Sequence, residues 1–127
     1  MKIQMADKRH IAYARCAYPQ DATAKLDRQI QAIRRFADGL AILCVGEVCL
    51  AGVSGSPPAM RYDLRRLLRR KQEQDDFDVL IMEDFAHLTR AGLAGGLQVQ
   101  AEFARCKVQI MYATEACGVK DKFRGME

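Results

Sequence analysis

Four short apolar runs, separated by longer segments in which apolar residues recur every three or four positions, limit this 127-residue chain to very few folds. From Arg9 to Ala17 the residues alternate, with Ile11, Tyr13, Arg15 and Ala17 on one side and Ala12, Ala14 and Cys16 on the other, the two-residue period of a strand. Ala41 to Leu50 carries one charge, Glu47, and reads as a strand buried on both faces. Phe77 to Asp84 is of the same kind, and Lys107 to Tyr112 makes a last strand. Between them, Asp21 or Thr23 can cap a helix carrying Leu26, Ile30, Ile33 and Ala37 on one face, with Gly39 as its stop. A second helix from about Met60 to Gln74 sets Leu64, Leu67 and Leu68 inward, and a third, weakened at its start by Gly92, Gly95 and Gly96, runs to Arg105. Alternating strands and helices predict an α/β fold, doubly wound, with a mainly parallel sheet and helices on both faces. In such sheets ligands meet the carboxyl ends of strands. Two of those ends are Tyr13 to Ala17 and Glu83 onward.

Length and composition narrow the class. An apolar fraction of 50% with 28% charged residues fits one soluble domain, here residues 9–116, with 1–8 as a disordered leader and 117–127 as a tail that could begin a longer helix. No apolar run nears the roughly 20 residues that span a bilayer, and Lys2, Asp7, Lys8 and Arg9 do not make a secretory signal, so a cytoplasmic place is expected. Five cysteines, Cys16, Cys44, Cys49, Cys106 and Cys117, form no Cys-x-x-Cys pair and read as buried free thiols. Gly52-Val-Ser-Gly-Ser lacks the lysine of a phosphate-binding P-loop, and no Gly-x-Gly-x-x-Gly follows a strand. No cofactor is expected. His10 and His87 show no metal-ligand or triad spacing, so no metal is expected either.

Two stretches stand apart from the fold. Gly52 to Pro58 holds two glycines, two serines and two prolines in seven residues, a long loop of the sort that carries function. Arg61, Arg65, Arg66, Arg69, Arg70 and Lys71 crowd the second helix, and such a face either follows a phosphate backbone or simply meets solvent. A net charge of +4 permits a nucleic-acid partner without requiring one.

Taken in order, Tyr13-Ala-Arg15, Leu26-Asp-Arg-Gln29, Gly52-Val-Ser-Gly-Ser56, Arg61-Tyr-Asp-Leu-Arg-Arg-Leu-Leu68, Glu83-Asp-Phe-Ala-His-Leu-Thr-Arg90 and Tyr112-Ala-Thr-Glu115 resemble the amino-terminal catalytic domain of the serine recombinases, the resolvase and invertase family. The resemblance covers residues 10–116 and rests on the pieces in register, since each alone is weak. It implies DNA strand exchange through a transient phosphoserine bond, on double-stranded DNA, in dimers and tetramers. Arg15, Arg61 and Arg90 match the family's active-site arginines, whose bidentate, permanently charged heads suit a phosphate. Gln29 matches a glutamine on the first helix, and Ser54, Gly55 and Ser56 lie in the mobile loop. Arg65, Arg66, Arg69 and Arg70 are the expected DNA-binding face.

The departures bear on chemistry. Ala17 stands where the pattern Tyr-x-Arg-x-Ser places the nucleophile, and a methyl group cannot attack phosphorus. Leu50 stands where Asp-x-Gly-x-Ser-Gly begins, and Ala86 and His87 occupy the aspartate and arginine positions of Leu-Asp-Arg-Leu-Ser-Arg. Cys16 cannot substitute as nucleophile, because adjacent strand residues face opposite ways. Several substitutions together favour natural degeneration over one engineered Ser→Ala change. The expected function is therefore a recombinase catalytic domain impaired in cleavage. The alternative is a non-enzymatic module that binds DNA or oligomerises in a regulatory role, and a decayed remnant is the third reading.

Overall fold

The computed structural model describes residues 7–16, 20–51, 62–88 and 92–114, and the fold is stated for these. The elements are β1 (Arg9–Cys16), α1 (Ala22–Leu40), β2 (Leu43–Ala51), α2 (Tyr62–Gln74), β3 (Val79–Met82), a 3-10 turn (Phe85–His87), α3 (Gly92–Arg105) and β4 (Gln109–Tyr112). All strand pairs are parallel, in the order β2-β1-β3-β4. The doubly wound α/β expectation holds, and the chain order of strands and helices is the one the periodicity predicts.

The two faces of β1 separate as its alternation requires. Ile11 and Tyr13 pack with Leu64, Leu67, Leu80, Met82, Val99 and Phe103 beneath α2 and α3. Ala12 and Ala14 pack with Ile30, Ile33, Ala37, Val79 and Ile81 beneath α1. The small residues on the second face let α1 sit close to the sheet. Burial of such side chains, about 1.5–3 kcal/mol each, supplies the main driving force.

Several expectations need correction. β2 is not buried on both faces: it lies at the sheet edge, and Leu43, Cys44, Glu47, Cys49 and Ala51 are exposed. Hydropathy reports that a strand is apolar, but its neighbours are decided by topology. Gly39 does not stop α1, which continues to Leu40 and closes on Ala41 in the left-handed region (φ 58°), whose N–H reaches the carbonyls of Ala37 and Asp38. Asp21 takes the N-cap position without a side-chain cap bond. Gly96 is less a helix weakener than a point of contact, since a Cβ there would lie 2.2 Å from the Phe85 ring. Lys71 does not belong to the basic outer face: it is buried, and its Nζ donates to Asp75 Oδ1 (2.5 Å) and to the Phe77 carbonyl (2.8 Å). Of the four described cysteines only Cys16 is buried as expected, since Cys44 and Cys49 are exposed and Cys106 is half-buried.

The amino ends of the strands are stitched by charge and main-chain bonds. Arg9 donates from Nε and from a terminal nitrogen to the two oxygens of Asp78, each at 3.0 Å, and these bonds hold the Asp78 carboxyl down to about 2. The Asp78 N–H donates to the Arg9 carbonyl (2.8 Å), and its carbonyl accepts from Gln109 (3.0 Å), so one residue links β1, β3 and β4. A cavity of about 1020 Å³ opens at this edge, lined by these paired charges.

Beside them His10 is 2% exposed, and neither ring nitrogen has a hydrogen-bond partner among the described residues. Burial pushes its pKa below the usual 6.5, against a weaker upward pull from the Leu43 and Ile42 backbone and from Asp38 and Glu47. The unfolded chain then binds the proton more readily, so stability is full above the unfolded pKa and falls with acidification. Urea unfolding of the wild-type chain should show stability falling as the pH is lowered through the usual histidine range. His10→Leu should remove that part of the slope. Gly96→Ala should cost about 1–3 kcal/mol and shift the Phe85 ring signals in NMR spectra, because the methyl group displaces the ring.

Candidate functional site

β1 runs further than β3: their pairing ends at Tyr13 opposite Met82, while β1 continues to Cys16. The main chain of Arg15 therefore lies beyond the β1–β3 ladder. There it meets Gln29, buried on α1. Its Oε1 accepts from the Arg15 N–H (3.1 Å), and its Nε2 donates to the Arg15 carbonyl (3.0 Å). A carboxamide carries one acceptor and donors in fixed geometry, so it replaces a neighbouring peptide group at a strand end.

The Arg15 side chain, 6% exposed, crosses to the segment after β3. Its Nε donates to the His87 carbonyl (3.0 Å), and a terminal nitrogen to the Ala86 carbonyl (3.2 Å). The segment is preformed to receive it. Asp84 caps the 3-10 turn by accepting the Ala86 N–H (2.9 Å), and Phe85 packs edge-on against Tyr112, ring centroids 5.7 Å apart. The Thr114 N–H donates to the Glu83 carbonyl (2.8 Å), which fastens the end of β4 beside it. Tyr13, fully buried, donates its hydroxyl to Asp63 near the start of α2. First strand, first helix, second helix and post-β3 turn thus converge on one sheet edge.

Of the residues expected here, Arg15, Gln29, Ala86 and His87 come together. Ala17, Ser54, Gly55, Ser56, Arg61 and Arg90 lie outside the described residues, as do residues 1–6 of the expected leader 1–8 and the whole of the expected tail 117–127. On α2, Arg65, Arg66 and Arg69 are exposed. Arg70 is instead engaged by Asp76, with bonds of 2.7–3.1 Å that lower the Asp76 pKa. Arg66 lies 5.8 Å from the centroid of the exposed Tyr62 ring, a cation–π contact.

Sequence reasoning missed the surroundings of His87. Its Nε2 lies 3.3 Å from Glu83 Oε1 and 3.8 Å from Asp84 Oδ1. One ligand atom from each of the three falls within 4.8 Å of the others, a donor set able to hold a divalent cation. The signal was the spacing of acids three and four residues before a histidine. It emerges only when the turn after β3 curls as it does, because an extended segment would separate these groups.

A family model described as Resolvase, N terminal domain, matches residues 10–125. The fold is similar to three solved structures. These are the N-terminal catalytic domain of TP901-1 integrase (TM-score 0.72, 20% identity, 85% of this chain and 79% of that one), the C-terminal catalytic domain of ISC1926 TnpA, an IS607-like serine recombinase (0.69, 24%, 83% and 70%), and that of IS1535 TnpA, also IS607-like (0.61, 28%, 81% and 69%). No curated protein matches. Gln29→Leu should strip Arg15 of both main-chain bonds at a cost of about 2–4 kcal/mol, two buried groups at roughly 1–3 kcal/mol each with partial relaxation. Denaturant unfolding checks the cost, and loss of exchange protection at the Arg15 amide locates it.

Proposed function

The chain belongs to the resolvase N-terminal domain family and is a serine-recombinase catalytic domain in fold; from that premise we propose that it engages DNA through its backbone phosphates but does not cut it unaided. The observation that carries this reading is the order of residues at the end of β1. Arg15 is anchored by Gln29 and by the carbonyls of Ala86 and His87, and two positions on the sequence offers Ala17. Strand exchange in this family begins with attack by a hydroxyl oxygen. An alanine supplies none.

The remaining substitutions point the same way. Attack on a phosphodiester needs a proton acceptor for the nucleophile and a donor for the leaving oxygen, together with fixed positive charge around the phosphorus. Leu50 and Ala86 carry no titratable group, and His87 beside Glu83 and Asp84 differs from a guanidinium in charge and reach. What the chain retains is positive charge. Arg65, Arg66 and Arg69 on α2 give a face that suits phosphate contacts, and Tyr62 offers an exposed ring beside them. Double-stranded DNA is the proposed partner, held without sequence readout by this domain, with dimers or tetramers as the working assembly.

The test joins binding with cleavage on supercoiled DNA. The wild-type chain should shift DNA without nicking it, and the logarithm of its affinity should fall linearly with the logarithm of salt. Arg65→Ala, Arg66→Ala and Arg69→Ala combined should reduce that slope by about 2–3 while the fold persists. Ala17→Ser alone should remain inactive, because the other positions are still altered. Robust strand cleavage by that single variant would overturn the impaired reading, and salt-insensitive or absent binding would overturn the DNA reading.

A further inference from the structure

In a chain of net charge +4, the turn after β3 sets two carboxylates beside an imidazole and beside no stronger cation. Elsewhere the acids that stand against other side chains meet arginine or lysine: Asp78 meets Arg9, Glu47 meets Arg34, Asp76 meets Arg70 and Asp75 meets Lys71. Glu83 and Asp84 differ. Among the described residues no lysine or arginine lies within ion-pair distance of either, and both converge on Nε2 of His87, at 3.3 Å from Glu83 Oε1 and 3.8 Å from Asp84 Oδ1.

We propose that Glu83, Asp84 and His87 bind one divalent ion of a first-row transition metal, through Glu83 Oε1, Asp84 Oδ1 and His87 Nε2. Spacing is the first argument. Donors 2.0–2.2 Å from a common ion at tetrahedral angles lie about 3.4 Å apart. Both distances to the imidazole are close to that value, and the carboxylate oxygens lie within 4.8 Å of each other, wider as like charges should be with no ion between them. The second argument is charge, since two carboxylates and a neutral imidazole balance a divalent cation. The third is donor type. Magnesium and calcium favour sets made of oxygen, whereas an imidazole nitrogen among carboxylates suits zinc, cobalt and their neighbours.

The site is also held in shape by bonds that an ion does not supply. Asp84 Oδ1 accepts the Ala86 N–H (2.9 Å) with one lone pair and keeps another for a metal, so the helix-capping bond aims the ligand. The Ala86 and His87 carbonyls are engaged by Arg15, and the Glu83 carbonyl by the Thr114 N–H. Ligands fixed in this way lose little freedom on binding. The side chains of Glu83 and His87 are 23% exposed and that of Asp84 41%, so an ion can enter from solvent. Three protein donors leave at least one coordination position for water or an oxygen ligand. The rival reading is that a protonated His87 alone balances the two acids, which yields ion pairs and no metal affinity. This inference does not depend on DNA binding, and the test contains no DNA.

The experiment is titration of the 127-residue chain with cobalt(II) chloride at neutral pH, with a phosphine reductant, followed by calorimetry and visible absorption. Uptake should saturate at one ion per chain, with d–d bands in the visible and no sulfur-to-cobalt charge-transfer band. His87→Gln, Glu83→Gln and Asp84→Asn should each weaken binding by about tenfold or more, because even groups outside the coordination sphere contribute that much. Asp84→Asn retains an oxygen for the Ala86 N–H, so its metal-free unfolding midpoint should match the wild type. Cobalt should raise the wild-type midpoint and leave that of His87→Gln unmoved. His10→Leu, which removes the other of the two histidines, should bind as the wild type does. Absence of saturable uptake by the wild type, or equal uptake by all three site variants, would overturn the proposal. A sulfur band would place the ion on cysteine and overturn it too, as would displacement of cobalt by an equal concentration of magnesium.

Discussion

Gln29 bonds both main-chain groups of Arg15 at the point where β1 outruns β3, and the geometry of the strand end depends on that pair. A buried strand end with an open N–H and C=O would cost about 1–3 kcal/mol for each group. Satisfying both from α1 lets β1 project beyond its neighbour. It also fixes the direction in which Arg15 leaves the backbone. From there the guanidinium takes the Ala86 and His87 carbonyls, and the post-β3 turn is held by bonds from β1, its own Asp84 cap and the Phe85–Tyr112 contact. Helix, strand and turn are consequently one mechanical unit.

How much of this was legible in the sequence follows from the range of each interaction. The alternation of β1 placed Ile11 and Tyr13 opposite Ala12 and Ala14, as found, because strand period is local. The apolar stripe of α1 was equally local. The edge position of β2 was not, since an apolar run reads alike whether its second neighbour is another strand or solvent. The arginine and lysine run on α2 shows the same limit. Arg70 and Lys71 look like Arg65 and Arg69 in sequence, yet the former two turn toward Asp76 and Asp75, which arrive with the loop after the helix. A charge count could not divide the run into solvent-facing and structural members. Gly96 was visible as a poor helix former, while its reason, the Phe85 ring above it, required the tertiary fold.

The two ends of the sheet use charge differently. At the amino edge Arg9, Asp78, Lys71 and Asp75 are paired with one another, and the Asp78 carboxyl stays ionised far into acid, so that edge is a stabilising clamp. At the carboxyl edge a buried arginine is bonded to carbonyl dipoles, and Glu83 and Asp84 gather around His87.

The contacts of Arg15 bear on how its presence at this strand end should be read. Its contacts tie β1 to the turn, and Gln29 ties β1 to α1, so both residues contribute to folding whether or not a phosphodiester is ever broken. Their presence is thus explained by stability alone and says little about retained catalysis. Residues at this strand end are therefore held in place by the fold itself, because β1, α1 and the turn after β3 meet through them.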